Sequence, residues 1–394
     1  GGRLRILDAR GAVLADVPAA SLSDDAPLYD RERAAPTGLD QRRRDDPGPA
    51  LSGHATPEQV AADVLAMLAD ASWVYRQYDH QLFLNTVVGP GGDAAVLRLA
   101  APGLPPSDRG LAISTDSNPR WCALDPRRGT AMTVAESALN VACAGARPVA
   151  LVNCLNFGNP EHPQVMWQLS ESVDGMAEAC IALDIPVIGG NVSLYNASAG
   201  TDIDPTPVVA VLGIIDRLER QPPGIGHAAG SSLVVLGEVD PSPAGSRWAV
   251  ECHGQLGGTL PALDLDAHGR LLGLVVQLVS TEGLLTSVHD VSGGGLALAL
   301  AEGAVHSGVG CTVGGVDGAG ALFSESPSRV VLGTEHPDDV LALAKDAGIS
   351  ARLLGSAGGD RVVVDGLLDL AVIDAAEAWR AALPGALGEP VAAT

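Results

Sequence analysis

Apolar residues recur at helical spacing after Thr56-Pro57, at Val60, Val64 and Leu68. Pro at the first helical position and a threonine N-cap are typical of a helix start, so we predict a helix from Pro57. Short apolar runs typical of strands follow, at 82–88, 94–100 and 110–115. The pattern therefore predicts that a folded unit begins near residue 57.

The same pattern continues to residue 216. It predicts a helix at 133–146, a strand and turn at 148–158, a helix to about residue 183, and strands at 186–196 and 207–216. Residues 217–230, with Pro222-Pro223-Gly224, form a predicted boundary between two units.

A second unit is predicted beyond that boundary. Its elements are a strand at 231–239, a helix at 265–282, a strand and glycine-rich turn at 284–295, a helix at 296–305, strands near 310–313 and 329–334, a helix at 337–347, and strands at 351–358 and 361–366. Strands and helices do not alternate strictly in either unit, which favours the α+β class over a doubly wound sheet.

The first 56 residues are predicted to lie outside these two folded units. Residues 4–20 predict two short strands around Arg10-Gly11, which could not be stable alone, so we expect them to complete a preceding domain that is missing here. Residues 21–56 are polar and proline-rich and predict a linker, in which Arg42-Arg43-Arg44 would be a solvated patch neutralised by Asp45-Asp46. Because the chain starts at Gly1 without methionine, we expect it to be a fragment of something longer.

Composition narrows the function classes. The 394 residues are 46% hydrophobic and 18% charged, as in a globular protein, and the net charge of −23 argues against nucleic acid or an anionic membrane as a partner. Lys345 is the only lysine, so a Walker A loop is excluded. A pyridoxal Schiff base would need Lys345 itself, and that residue is better interpreted as a surface side chain near a helix C-terminus. A bound phosphate group must therefore be met by metal ions, backbone amides and arginines.

The six cysteines are scattered without a CxxC pair, which favours a reducing compartment. Since no signal-like leader and no uninterrupted apolar stretch of membrane-spanning length occurs, we expect a cytoplasmic protein that is neither secreted nor membrane-spanning.

Two polar segments follow predicted strands in the first unit. Gly189-Gly190-Asn191 and Ser193 combine glycines, which let backbone amides approach a phosphate, with oxygens suited to Mg²⁺. The alternative is an ordinary Gly-Gly-Asn turn. Residues 152–161 carry three asparagines in a loop typical of ligand binding, and the alternative there is a series of Asx-turns before a helix at Pro160.

Further candidates lie near the second unit's glycine-rich turn and on the helix at 133–146. Asp290 and Ser292 precede a helix whose free amides could bind an anion, or one of them is simply that helix's N-cap. Glu136 and Asn140 share one helix face and could both reach a metal, although Thr133 to Glu136 also matches a capping box. His289 is more typical of a satisfied strand histidine, and Asp79 and Asp116 are carboxylates near strand ends or ordinary turn residues.

Together these segments resemble the second half of the small-type PurL family of phosphoribosylformylglycinamidine synthases, within the aminoimidazole ribonucleotide (AIR) synthetase-like superfamily. The resemblance is carried, in family order, by residues 115–168, by PVIGGNVSLYN (186–196), by SVHDVSGGGLA (287–297) and by FSESPSR (323–329).

This resemblance implies a PurM/AIR synthetase-like unit: residues 57–218 would be a barrel-forming N-terminal α+β domain and 228–385 a C-terminal α+β domain. It implies an ATP-dependent ligase of purine biosynthesis that converts formylglycinamide ribonucleotide and ammonia to the amidine, ADP and phosphate, with Mg²⁺. The glutaminase subunit PurQ and the small subunit PurS would be partners, together with the missing N-terminal half. That half would hold the catalytic histidines, so no catalytic residue is expected in this chain, which is expected to be inactive alone.

Residue by residue, the resemblance makes Gly190 an ATP contact, Asn191 a Mg²⁺ ligand and Ser193 a substrate contact. Asn153 stands where the family usually has an aspartate that contacts ATP. Five residues match positions that hold magnesium and an auxiliary nucleotide in the large single-chain relatives: Asp79, Glu136, Asn140, Asp290 and Ser292. The alternatives are a non-catalytic half that binds the auxiliary nucleotide without turnover, or another superfamily enzyme, such as a kinase or a selenophosphate-type synthetase.

Overall fold

The computed structural model describes residues 2–51, 56–105 and 107–388. The chain begins with an antiparallel hairpin. Strands β1 (Arg3–Leu7) and β2 (Val13–Pro18) pair as predicted, and Arg3 and Arg5 both form ion pairs with Asp16. Their apolar side chains are largely exposed, so the hairpin adds nothing to the core of the described chain.

The predicted linker contains two short helices, α1 (Leu39–Arg44) and α2 (Gly48–Leu51). The prediction that its arginine run is solvated holds for Arg42 and Arg44, which are exposed, and is wrong for Arg43. Arg43 donates from Nε to the carbonyl oxygen of Leu124 at 2.7 Å and forms an ion pair with Asp125 at 3.3 Å. The physical reason is that Leu124 ends a helix, whose last carbonyls need donors from outside it.

The first unit is built on a sheet with strand order β3-β4-β5-β10-β6-β7, in which β6 and β7 are parallel and the other neighbours antiparallel. Its strands, with the small β8-β9 hairpin, are β3 (Thr86–Val88), β4 (Ala95–Arg98), β5 (Gly110–Asp116), β6 (Arg147–Asn156), β7 (Val187–Ser193), β8 (Ala197–Ser198), β9 (Thr201–Asp202) and β10 (Thr206–Ile215). Its helices are α4 (Ser72–Arg76), α5 (Pro119–Leu124), α6 (Pro126–Cys143) and α7 (Pro163–Ala182). Helix α3 (Pro57–Met67) packs instead on the second unit, with Val60 and Val64 in that unit's apolar cluster, contrary to the prediction that the first unit begins near residue 57.

The second unit is built on a sheet with strand order β12-β14-β11-β15-β13-β16-β17. Its strands are β11 (Ser232–Leu236), β12 (Ser287–Asp290), β13 (Cys311–Val313), β14 (Val330–Thr334), β15 (Ala351–Ala357), β16 (Arg361–Val364) and β17 (Leu368–Ala371). Its helices are α8 (Leu265–Ser280), α9 (Gly295–Ser307), α10 (Gly318–Phe323), α11 (Pro337–Asp346) and α12 (Val372–Leu387). Antiparallel pairs predominate and helices do not alternate with strands, so the predicted α+β class is confirmed.

Helix α6 lies at the junction of the two units. It packs on α7 and β10 of the first unit and on α8 and β12 of the second, and its small side chains allow these close contacts. The partner helix α7 also needs a small residue at this contact, because a Cβ atom at Gly175 would lie 1.9 Å from the carbonyl oxygen of Arg127 in α6. One apolar cluster consequently runs through both units, from Val96 and Val141 to Leu274 and Val288.

Several local predictions differ from the structure. Helix α6 begins at Pro126, with Asp125 as its N-cap, and the Thr133 hydroxyl donates to the carbonyl oxygen of Gly129 within the helix, so the capping box at Thr133 is wrong. The strand predicted from residue 82 begins at Thr86, because Leu82–Leu84 is a 3₁₀ turn. Helix α12 was not predicted from the sequence.

Other predictions are confirmed. Thr56 caps α3 in a capping box with Gln59, and Lys345 lies exposed in the last turn of α11. Within the described ranges, no helix is both long and apolar enough to span a membrane.

Candidate functional site

The predicted ATP, metal and substrate residues of the first unit lie on the parallel strands β6 and β7. Asn153 is in register with Gly190, and Asn156 with Ser193. A Cβ atom at Gly190 would lie 2.2 Å from Oδ1 of Asn153, so glycine is required there for the Asn153 side chain to cross to the neighbouring strand. This pairing brings the predicted residues of two distant segments to one place.

Asn191 is exposed on β7, next to Cys154 of β6. Its Nδ2 donates weakly to Cys154 Sγ at 3.6 Å, and among the described residues its Oδ1 accepts no hydrogen bond. A free amide oxygen is a hard ligand of the kind that Mg²⁺ prefers.

Ser193 is held by the loop that follows it. Asn196 donates from Nδ2 to Ser193 Oγ at 3.1 Å and to the carbonyl oxygen of Phe157 at 3.0 Å, which ties this loop to the one after β6. Asp202 connects these loops a second time, because its carboxylate accepts hydrogen bonds from the backbone amide of Asn159 at 2.8 Å and from His162 Nδ1 at 2.6 Å.

The asparagines after β6 have different surroundings. Asn159 makes an Asx-turn with the amide of Glu161, so the Asx-turn interpretation holds for this residue. Asn156 makes no Asx-turn: its Nδ2 donates to the backbone carbonyl oxygens of Cys154 and Thr206. The helix begins at Pro163, not at Pro160 as predicted. Asn153 instead has its Nδ2 3.4 Å from Met176 Sδ and its Oδ1 over Gly190.

The sheet around these residues is open. Strand β7 is an edge of the sheet in the described part of the chain, and Ile188 and Val192 are 65% and 54% exposed. Val152 of β6 is 41% exposed. The edge strand that carries Asn191 and Ser193 is therefore uncovered and partly apolar.

The second group of predicted residues lines a cavity of about 540 Å³ between the two units. Glu136 and Asn140 reach it together from α6, as their helical spacing predicted, and Asp290 and Ser292 reach it from the second unit. We call it the acidic cavity, since its lining includes the carboxyl groups of Asp93, Asp116, Glu136, Asp290 and Glu302.

Asp79 was predicted with this group, and the structure places it elsewhere. It is exposed, and its carboxylate accepts from the backbone amide of Gln81 in an Asx-turn. Asp93, which the sequence analysis missed, lines the acidic cavity instead. The sequence contains a feature that could have identified Asp93. This residue follows Gly91-Gly92 just before β4, and several other candidates also lie where glycines adjoin a strand.

Asn140 carries an unsatisfied atom into the cavity. Its Nδ2 donates to Asp116 Oδ1 at 3.0 Å, while its buried Oδ1 has no hydrogen-bond partner in the described chain. A buried acceptor without a donor is destabilising, and a cation bound beside it would satisfy it.

His289 supplies the cavity's positive charge. Its Nδ1 lies 2.6 Å from Asp93 Oδ1 and its Nε2 lies 3.1 Å from Glu302 Oε2. Burial alone would lower the pKa of His289, but the carboxylates of Asp93 and Glu302 raise it well above its usual range. The ring is therefore a protonated link between the two units.

Burial raises the pKa of three carboxyl groups of the cavity, those of Asp116, Glu136 and Asp290. Burial, and then the nearby charge of Asp93, raise the pKa of Asp290 to about 8. Burial and the charges of Asp116 and Asp290 raise the pKa of Glu136 well above its usual range. Ligand atoms of Asp93, His289 and Asp290 lie within 4.8 Å of one another, so a divalent cation could displace protons here and offset the crowded charge.

The anion site predicted at the start of α9 is already filled by the protein. The N-cap is Gly294, not Asp290 or Ser292, and its amide donates to Glu325 Oε1 at 2.8 Å. A buried carboxylate thus occupies the position where a phosphate was expected.

Comparisons with known proteins give consistent matches. Residues 91–215 match the family model of the AIR synthase related protein, N-terminal domain, and residues 228–366 match that of its C-terminal domain. The chain is 43% identical to phosphoribosylformylglycinamidine synthase subunit PurL of Moorella thermoacetica over 97% of its own length and 53% of that relative. It is 42% identical to PurL of Thermobifida fusca over 98% of its own length and 51% of that relative.

Solved structures share the fold. Thermotoga maritima PurL complexed with FGAR superposes with a TM-score of 0.59 at 16% identity, covering 86% of this chain and 54% of that one. The same protein complexed with ADP also gives 0.59, at 18% identity, covering 81% of this chain and 51% of that one. The chain thus spans about half the length of the curated relatives that it matches.

Proposed function

Since this chain belongs to the AIR synthase related family, with PurL subunits among its close relatives, we propose that it is the second half of an ATP-dependent phosphoribosylformylglycinamidine synthase. The reaction would join formylglycinamide ribonucleotide and ammonia at the expense of ATP, in purine biosynthesis. ATP would phosphorylate the amide oxygen of the substrate, and ammonia would displace that phosphate to give the amidine.

The observation that carries this proposal is the pairing of β6 with β7. It brings the predicted residues to neighbouring positions on two strands, with Asn153 and Gly190 on the face toward α7 and Asn191 and Ser193 on the opposite face, where the amide oxygen of Asn191 is free for a cation. In the proposed roles, Asn153 and Gly190 contact ATP, Asn191 holds Mg²⁺ and Ser193 contacts the ribonucleotide. Magnesium would neutralise the phosphates, which a chain with a net charge of −23 does not do by itself.

The remaining parts of the enzyme are also proposed. A first half would cover the open sheet of residues 57–218 to complete a shared barrel, and the hairpin of residues 1–20 would belong to it, with 21–56 as the linker and 228–385 as the C-terminal domain. Ammonia would come from a glutaminase subunit of the PurQ type, with a PurS-type small subunit, in the cytoplasm. An ammonia-dependent assay of ADP release, on this chain combined with a supplied first half, tests the assignment.

The acidic cavity is proposed as a second site, which holds an auxiliary Mg-nucleotide without turnover. Glu136, Asn140, Asp290 and Ser292 would be its predicted contacts, with Asp93 in the place proposed from the sequence for Asp79. The unsatisfied Oδ1 of Asn140 and the crowded carboxyl groups support this role.

We expect Asp290→Asn to abolish stabilisation of the chain by Mg-ADP. A ligand present at about 100 times its Kd stabilises the native state by about 2.7 kcal/mol, which corresponds to a rise in Tm of roughly 3 °C for a chain of this length. The measurement is a set of melting curves with and without Mg-ADP. Asp79→Asn is the matched control, since Asp79 lies outside the cavity, and it should keep the full shift; an undiminished shift in Asp290→Asn would contradict the site.

We also expect the chain to self-associate in the absence of a first half, through the open face of β6 and β7. Exposed edge strands with apolar side chains pair readily with other chains. Sedimentation should show an average mass that rises with concentration, and Ile188→Lys should suppress the rise. Ile181→Lys is the control, because Ile181 is 80% exposed on α7 rather than on the sheet. A monomer at every concentration would contradict the proposed barrel.

A further inference from the structure

Glu325, between α10 and β14, is an almost completely buried carboxylate that faces the start of α9. Its side chain is 1% exposed. Its Oε1 accepts from the backbone amides of Gly294 at 2.8 Å and Arg247 at 2.6 Å, and its Oε2 accepts from the Arg120 guanidinium at 3.2 Å. A buried charge with this many charge-assisted or backbone donors is held in one position.

Two donors of Glu325, Gly294 and Arg120, lie close along the chain to residues that form opposite walls of the acidic cavity. Gly294 ends the short loop that contains Ser292 and joins Asp290, the last residue of β12, to α9. Arg120 lies in the first turn of α5, four residues beyond Asp116, which ends β5. One carboxylate therefore connects the wall made by the second unit with the wall made by the first.

We propose that Glu325 is a positioning residue for the auxiliary Mg-nucleotide site: it fixes the loop carrying Asp290 and Ser292 against the end of β5 carrying Asp116. The inference rests on the proposed function of the acidic cavity. Glu325 itself lines no part of that cavity, and it acts through Gly294 and Arg120.

The neighbouring Glu251 provides a matched comparison. It accepts from the same two arginines, Arg120 at 3.2 Å and Arg247 at 3.1 Å. Its side chain is 44% exposed, and no bond joins it to the 290–294 loop in the described chain. Neutralising Glu251 therefore removes a similar charge near the same arginines and leaves the cavity walls connected.

The test measures the affinity of the 394-residue chain for Mg-ADP by calorimetry, alongside the Tm of the ligand-free protein. We expect Glu325→Gln to raise the Kd about tenfold or more and Glu251→Gln to change it less than twofold. Glu325→Asp, which is too short to reach both Gly294 and Arg120, should fall between them. A purely structural role would lower the Tm of Glu325→Gln and leave the Kd of its folded fraction unchanged, and that result would overturn the proposal.

A second variant covers the case in which Glu325→Gln does not fold. Arg120→Gln breaks the connection to the first wall and keeps the bond from Gly294 to Glu325, so it should raise the Kd severalfold. An unchanged Kd in Arg120→Gln would overturn the proposal.

The measurement also separates the two proposals. If the unmodified chain bound no Mg-ADP, the auxiliary site itself would be refuted, and the role of Glu325 with it. If the unmodified chain bound Mg-ADP and Glu325→Gln bound it equally well, only the role of Glu325 would be refuted.

Discussion

The 394-residue chain alone is expected to release no ADP in the presence of formylglycinamide ribonucleotide, ATP, Mg²⁺ and ammonia. By the proposed assignment, the groups that act as general acid and base belong to the first half, and a site without them lacks the proton transfers that the reaction needs. The proposed metal ligand Asn191 also lies exposed on an edge strand, where water is not excluded from the reacting groups.

The assay compares the chain alone with the chain combined with a separately produced first half. Turnover should appear only in the combination, and it should saturate as the first half approaches equal concentration. Steady turnover by the chain alone, above the rate of an Asn191→Ala preparation purified in parallel, would refute the missing-half assignment.

In the reassembled enzyme, Asn191→Ala is expected to lower kcat/KM by roughly 100-fold or more. The substitution removes the free Oδ1 from the edge strand and with it the proposed Mg²⁺ ligand. Losing one key electrostatic group at a reacting centre typically has this effect, which corresponds to about 2.7 kcal/mol of transition-state stabilisation.

Steady-state kinetics at several Mg²⁺ concentrations make this test specific. Asn191→Asp keeps an oxygen at the same position and should retain much more activity than Asn191→Ala. Asn159→Ala is the matched control, because its side chain makes only an Asx-turn with Glu161, and it should stay within about twofold of the parent. Unchanged kcat/KM in Asn191→Ala would remove this residue from the proposed site.

Several features that depend on residues close together in the sequence were predicted correctly. The family resemblance read from the motifs is confirmed by the comparisons, and so is the α+β class. The helical spacing of Glu136 and Asn140 correctly placed both on one side of α6, where they reach the same cavity. Spacing within one helix fixes relative direction whatever the rest of the chain does.

Contacts between distant segments could not be predicted in this way. Asp93 meets His289 across 196 positions, and Arg120 meets Glu325 across 205. Neither pair has a sequence signature, since each depends on how the two units dock around α6. Asp79 was misplaced for the same reason: a carboxylate near a strand end looks alike whether it faces a cavity or closes an Asx-turn.

The solitary lysine in the last turn of α11 has a practical consequence. Besides the N-terminus, Lys345 is the one primary amine of the chain, and it is exposed. It lines neither the acidic cavity nor the open face of β6 and β7. With the N-terminal amine blocked, an amine-reactive dye or surface would therefore attach the molecule in a single orientation, with both proposed sites left free to meet ligands in solution.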